Sequence, residues 1–208
     1  MNIQLALDRL AWDDCFNVVH QTESYIDWIE IGTGVIKEYG MDIVRQMKQE
    51  YPDKMLVADM KTCDAARAET IQAFEAGADV TTVMAFASDA SIQAVLETAE
   101  EYGKKAFVDL LNVQENRRLE ELDKLGIRSA SLHIGKDMQQ TGAGDNNYYK
   151  LLEAFPHWEV SAAGGLKAET LYKIKDARPD VIIIGGAITK SVNPRQAAEQ
   201  IRLEADRL

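Results

Sequence analysis

The chain has 208 residues, of which 46% are hydrophobic and 27% charged, and 23 basic against 34 acidic residues give a net charge of −11. That is enough chain for one domain with a sizeable core, and the composition is that of a folded globular protein. The acidic balance argues against nucleic acid and anionic membrane surfaces as partners, although local amides, lysines or a metal can still hold a small anionic ligand at short range.

The N-terminus runs straight into an alternating pattern, with no basic stretch and long apolar run, so no signal peptide is expected and the location is read as cytoplasmic. No apolar stretch is long enough to span a membrane. Short β-rich apolar runs cover 3–8, 28–32, 55–61, 80–84, 105–110, 129–133, 157–162 and 181–185. Between them lie helical spacings, among them 42–51, 65–76 and 89–102. The last helical pattern covers 193–208, with Asn193 as N-cap and Pro194 as first helical residue. Eight strands, each followed by a helix, predict a closed parallel (β/α)8 TIM barrel forming a single α/β domain over 1–208. An open doubly wound sheet is the rival architecture. Cys15 and Cys63 match neither a zinc site nor a CxxC pair, so reduced thiols are expected.

In a barrel, chemistry sits at the carboxyl ends of the strands. There the sequence places Asp8, Glu30, Asp59, Asp109 and His133. Any one of them could simply mark where a strand meets water. Four carboxylates converging on one mouth, however, repel unless a cation sits among them. Lys61 is one such cation, two residues from Asp59 and therefore expected on the same strand face. Magnesium, which takes one or two carboxylates and keeps several waters, is the other. Gly164-Gly165 and Gly185-Gly186 follow the seventh and eighth strands, the loops that frequently bind phosphate in barrels. His20, His157 and Cys63 are read as structural or surface residues. The tryptophans are read as packing residues, and the acidic run at 97–101 as a solvated helix face.

These residues sit in longer motifs: Leu5-Ala6-Leu7-Asp8, Glu30-Ile31-Gly32-Thr33, a DxKxxD element running from Asp59 to Asp64, 74–79, Ala163-Gly164-Gly165, and 185–190. Through them nearly the whole chain resembles the orotidine-monophosphate-decarboxylase superfamily. Within it, the chain is similar to the group containing 3-hexulose-6-phosphate synthase and 3-keto-L-gulonate-6-phosphate decarboxylase. The resemblance implies a magnesium-dependent lyase acting on a sugar phosphate, and a homodimer with the active site at the interface. It implies metal contact by Glu30 and Asp59, stabilisation of an enediolate by Lys61, and His133 as the base. Asp109 would orient the histidine or substrate hydroxyls, and Asp64 would reach into the partner's site. Asp8 falls among the substrate-binding residues, with Gly165, Gly185 and Gly186 holding the phosphate.

Two motifs resemble the synthase side of the group, Val108-Asp109-Leu110-Leu111-Asn112-Val113 and the run from His133 to Gln140. Lys136 departs from that pattern, because it stands where decarboxylases carry a catalytic arginine. The implied reaction is the addition of formaldehyde to ribulose 5-phosphate, giving a 3-hexulose 6-phosphate. Decarboxylation of 3-keto-L-gulonate 6-phosphate is the alternative. A non-catalytic sugar-phosphate binding protein is a remote third.

Overall fold

The period-two alternation of eight short strands decides the architecture. In the computed structural model, which describes residues 1–135, 152–175 and 178–208, these strands form a closed parallel barrel in sequence order. They are β1 (Asn2–Leu7), β2 (Trp28–Ile31), β3 (Met55–Thr62), β4 (Val80–Met84), β5 (Lys105–Asp109), β6 (Ser129–His133), β7 (Glu159–Ala163) and β8 (Val181–Ile184). Closure is direct, because β1 pairs with β2 on one side and with β8 on the other.

Outward positions are apolar and disappear under helices. Ile3, Leu5, Leu7, Ile29, Ile31, Leu56, Ile182 and Ile184 join one core cluster with buried residues of α1 (Trp12–Thr22), α2 (Thr33–Tyr39) and α3 (Asp42–Glu50). Val83, Val108, Ala130 and Leu132 join a second cluster with α4 (Ala66–Glu75), α5 (Asp89–Glu101) and α6 (Asn116–Lys124). The chain ends with the short α7 (Gly186–Thr189) and with α8 (Pro194–Ala205). The caps explain where the helices begin. Ser88 Oγ accepts the Ser91 N–H at 3.1 Å ahead of α5, and Asn193 Oδ1 accepts the Gln196 N–H at 3.1 Å ahead of α8. No helix among the described residues is long and apolar enough to cross a membrane.

Inward positions divide the barrel into two levels. At the amino-terminal end of the strands Trp28, Val57, Val80, Phe107 and Val181 form an apolar plug. Trp28 and Phe107 meet edge to face at 6.1 Å. Below it Lys105 Nζ lies 5.9 Å from the Trp28 ring and 2.7 Å from Glu159 Oε2. The opposite end is open.

Strand boundaries follow the sequence expectation to within one residue, except at the start of β7. β7 begins at Glu159 rather than at 157. His157 Nε2 and Trp158 Nε1 both bond Asp123 Oδ1, at 2.7 and 3.0 Å, and Trp158 stacks on Phe155 at 4.4 Å. Those contacts hold the segment in a turn against α6. A second pattern concerns the strand exits. Left-handed backbone occurs at Arg9 after β1, Lys61 and Ala65 at the end of β3, Asn112 after β5, and Gly164 and Gly165 after β7. Among the described residues no such conformation marks the exits of the even-numbered strands.

Replacing Asn193 by alanine removes the α8 cap and should cost about 1 kcal/mol. A urea unfolding curve with a lowered midpoint and an unchanged slope checks it.

Candidate active site

The open end holds a cavity of about 1030 Å³ lined from every strand. Asp8, Glu30, Asp59, Asp109 and His133 all line it, together with Lys61, Gly165, Gly185 and Gly186. The convergence expected from the strand ends is therefore present.

Strand β3 reaches this arrangement by an irregular route. Ala58 pairs with Thr81, but the next partners are Thr62 and Val83, so β3 spends four residues against two on β4. Plain strand alternation was expected to bring Asp59 and Lys61 to one face. They do share a face, but Lys61 sits on a bulge at φ 49°. Its N–H donates to Thr82 Oγ1 at 2.9 Å, which pins the bulge. A lysine with positive φ is strained, and such strain persists where the surroundings fix the backbone.

From that bulge Lys61 Nζ reaches Asp109 Oδ2 at 2.6 Å and Asp59 Oδ2 at 3.1 Å. His133 Nδ1 approaches the same Asp109 oxygen at 3.1 Å, and the Leu111 N–H donates to Asp109 Oδ1 at 2.9 Å. The Asp109 carboxylate thus contacts the histidine, the lysine and a backbone amide at once. Asp59 is held from three sides. Thr82 Oγ1 donates to its Oδ1 at 2.8 Å, the Thr33 hydroxyl lies 2.8 Å from its Oδ2, and Lys61 lies between. Glu30 accepts from Gln4 Nε2 at 2.6 Å.

The charges respond to this packing. Burial works against charged Lys61, but the Asp59 and Asp109 carboxylates outweigh it and hold the ammonium above the ordinary lysine range. Burial would raise Asp109, yet the His133 hydrogen bond and the Lys61 charge bring its carboxyl down to about 2. Glu30 goes the other way, pushed up to about 7 by burial and then by the Asp59 charge. One lysine thus faces three buried carboxylates, and among the described residues Glu30 is the one left without a contacting cation.

That imbalance is what a divalent cation would correct. Among the described residues no group of three His, Cys, Asp or Glu could hold a metal ion. Magnesium asks for less, since one or two carboxylates with waters suffice, and Glu30 with Asp59 fits that requirement.

The remaining expected residues are placed as follows. Asp8 Oδ1 accepts the Gly34 N–H at 3.2 Å, while its Oδ2 lies 3.3 Å from Arg9 Nε. A methyl at Gly34 would sit 2.6 Å from Asp8 Oδ1, so this approach requires glycine. Asp64 lies exposed in the turn after β3, outside the cavity lining of its own chain. Lys136 lies outside the described residues. His20 is exposed on α1, and His157 is half exposed at the far end of the barrel. Three residues that bond these carboxylates were not among the expected site residues, although Thr33 stood in one of the motifs: Gln4, Thr33 and Thr82. Gln4 carried a usable signal, a polar residue between Ile3 and Leu5 on a buried strand. Thr33 and Thr82 carried none, because threonine is ordinary in and beside strands.

A family model of Orotidine 5'-phosphate decarboxylase / HUMPS matches residues 1–201. The chain belongs to the orotidine 5'-phosphate decarboxylase / HUMPS family. A 3-hexulose-6-phosphate synthase of Staphylococcus aureus (strain MSSA476) is 36% identical over 204 residues, covering 97% of each chain. The structure of 3-hexulose-6-phosphate synthase from Salmonella typhimurium superposes with a TM-score of 0.96 at 30% identity, covering 100% of this chain and 99% of the other. That of 3-keto-L-gulonate-6-phosphate decarboxylase from Vibrio cholerae O1 biovar El Tor str. N16961 does so with a TM-score of 0.89 at 30% identity, covering 99% and 97%. The chain is an enzyme of this superfamily, of the synthase or decarboxylase kind. Within the Orotidine 5'-phosphate decarboxylase / HUMPS family, the bulged β3 of this chain is where the DxKxxD element sits.

The Glu30 environment makes a pH prediction for the metal-free enzyme. Its carboxyl is raised from 4.5 to about 7 on folding, so the unfolded chain loses that proton first. Stability from this group is complete below 4.5 and is lost as pH rises through about 7. In chelator, Glu30→Gln should flatten the fall in stability between about pH 5 and 8 by up to about 3 kcal/mol. Magnesium should restore wild type at pH 8. Denaturant titrations at both pH values check this, and parallel curves for the two proteins would refute it.

Proposed function

We propose that this enzyme condenses formaldehyde with D-ribulose 5-phosphate, reversibly, to give a 3-hexulose 6-phosphate through a 1,2-enediolate, as an aldehyde-lyase of the formaldehyde-assimilating kind. The observation that carries the reading is the shared Asp109 oxygen, which holds Lys61 and His133 side by side over the cavity.

His133 acts as the base that takes the proton from carbon one of the ketose phosphate, a role suited to imidazole near neutrality. Asp109 orients the ring through Nδ1, leaving Nε2 for the substrate. The enediolate oxygens develop charge beside the Lys61 ammonium, a preorganised donor held by two carboxylates. The nucleophilic carbon then attacks the formaldehyde carbonyl, forming the new carbon–carbon bond, and the resulting alkoxide takes up a proton. Glu30 and Asp59 would hold magnesium, which when bound supplies Lewis-acid neutralisation of the substrate oxygens. Gly165, Gly185 and Gly186 present backbone amides to the phosphate, and Asp8 contacts the sugar from β1. In a homodimer Asp64 reaches the partner's site, a role suited to an exposed acidic residue that lies outside this cavity's lining in its own chain.

The decarboxylase reading uses the same enediolate, formed by loss of carbon dioxide. Lys136 favours it, as a cation in the position of the decarboxylase arginine.

Formaldehyde consumption in the presence of ribulose 5-phosphate should require magnesium and stop in chelator. Lys61→Ala should lower it about 10²- to 10³-fold. Folded wild type that consumes no formaldehyde but decarboxylates 3-keto-L-gulonate 6-phosphate would overturn the synthase reading. For the shared site, mixing Asp64→Ala and Lys61→Ala subunits should recover part of the activity. Verified heterodimers without recovery would argue against it.

A further inference from the structure

Three consecutive residues of β3, Asp59, Met60 and Lys61, stand opposite one residue of β4, Thr82, because the register jumps from the Ala58–Thr81 pair to the Thr62–Val83 pair. Thr82 is buried, and its hydroxyl bonds both ends of that three-residue stretch. The direction of each bond is fixed. The Lys61 N–H can only donate, so Thr82 Oγ1 accepts it, at 2.9 Å. The single hydroxyl proton then goes to the Asp59 carboxylate, at 2.8 Å from Oδ1. The Lys61 ammonium returns to that same carboxylate, 3.2 Å from Oδ1 and 3.1 Å from Oδ2.

A ring is thereby closed, from the Lys61 amide through the Thr82 hydroxyl and the Asp59 carboxylate to the Lys61 ammonium. It fixes the backbone and the charge of one lysine against each other, and Thr82 is its only member from another strand. A lysine stem is flexible, so its ammonium is placed no better than the backbone that carries it. At φ 49° that backbone is in a conformation that its surroundings must hold. Thr33 does not share this task. Its hydroxyl has one proton and two acceptors, Asp59 O and Oδ2, each at 2.8 Å, and both belong to Asp59.

We propose that Thr82 is a positioning residue for the reaction: its hydroxyl locks the β3 bulge, so that the Lys61 ammonium is held where the enediolate develops its charge. This rests on the enediolate reading of the site, and it applies whether the enediolate arises by proton loss or by loss of carbon dioxide.

Thr82→Val keeps the branched shape and removes the hydroxyl. Its kcat should fall about 10- to 100-fold with KM nearly constant, and Thr82→Ser should recover most of the loss. Thr82→Ala makes the same deletion with a smaller side chain and carries the test should the valine variant not fold. Thr81→Val is the matched control. Thr81 is the preceding residue of β4, is also buried, and donates to Ala58 O of β3 at 3.3 Å, outside the cavity lining. That variant should have a lowered melting temperature and an unaltered kcat. Independently of turnover, hydrogen exchange at the Lys61 amide, followed by NMR, should quicken at least about 10-fold in Thr82→Val and stay slow in Thr82→Ser. Wild-type kcat in the folded hydroxyl-free variant, a serine variant no better than it, or an equal loss of kcat in Thr81→Val would each overturn the proposal. So would a Lys61 amide that exchanges alike with and without the hydroxyl. A wild type that turns over neither ribulose 5-phosphate with formaldehyde nor 3-keto-L-gulonate 6-phosphate, with the amide exchanging as expected, would refute the enzymatic reading and support Thr82 as the lock on the bulge.

Discussion

The ammonium of Lys61 spans two strands that are not neighbours, joining Asp59 on β3 to Asp109 on β5 at the mouth of the barrel. Much of the open end is arranged around that contact. Asp109 is almost completely buried, with 3% of its side chain exposed, and it is kept ionised by His133 and Lys61 against one of its oxygens and by the Leu111 N–H on the other. Breaking a buried pair by removing one partner typically costs about 3–5 kcal/mol, since the other charge is stranded. Lys61 is 24% exposed, which places the cost toward the lower end of that range. Thr82 serves both halves of the arrangement. Its hydroxyl donates to Asp59, and it accepts the N–H of the bulged Lys61.

The barrel separates two tasks along each strand. β5 contributes Phe107 to the apolar plug and, two residues on, Asp109 to the polar cavity lining. β3 does the same with Val57 and Asp59, and β4 with Val80 and Thr82. The plug gives the upper residues a dry floor, which is why burial dominates the behaviour of Glu30. A polar rung at this depth in an otherwise apolar interior is costly unless its members satisfy one another. Here they do so for Asp59 and Asp109, while among the described residues Glu30 is bonded only by the Gln4 amide.

The fold was legible because period-two hydrophobicity and the strand–helix rhythm agree over the whole chain. The identities of Asp59, Lys61, Asp109 and His133 were legible because polar residues ending buried strands stand out. The bulge was not. Met60-Lys61-Thr62 continues the strand pattern without a glycine, and nothing in it announces a left-handed residue. Nor was the late start of β7, since it depends on Asp123, 36 residues earlier in the chain, gathering His157 and Trp158. Hydrogen-bond partners such as Thr33 and Thr82 are properties of register, which a one-dimensional pattern does not carry.

The left-handed residues at the odd-numbered strand exits give the barrel a trade-off between stability and activity. Glycine would relieve the strained φ at Lys61, but it would also delete the ammonium that bridges Asp59 and Asp109. On the proposed reading of the site, a gain in folding stability at that position comes at the expense of turnover. The base of the barrel carries no such conflict. Directed evolution for heat resistance should accordingly accumulate its gains around the plug and the outer helices, and leave the mouth tense.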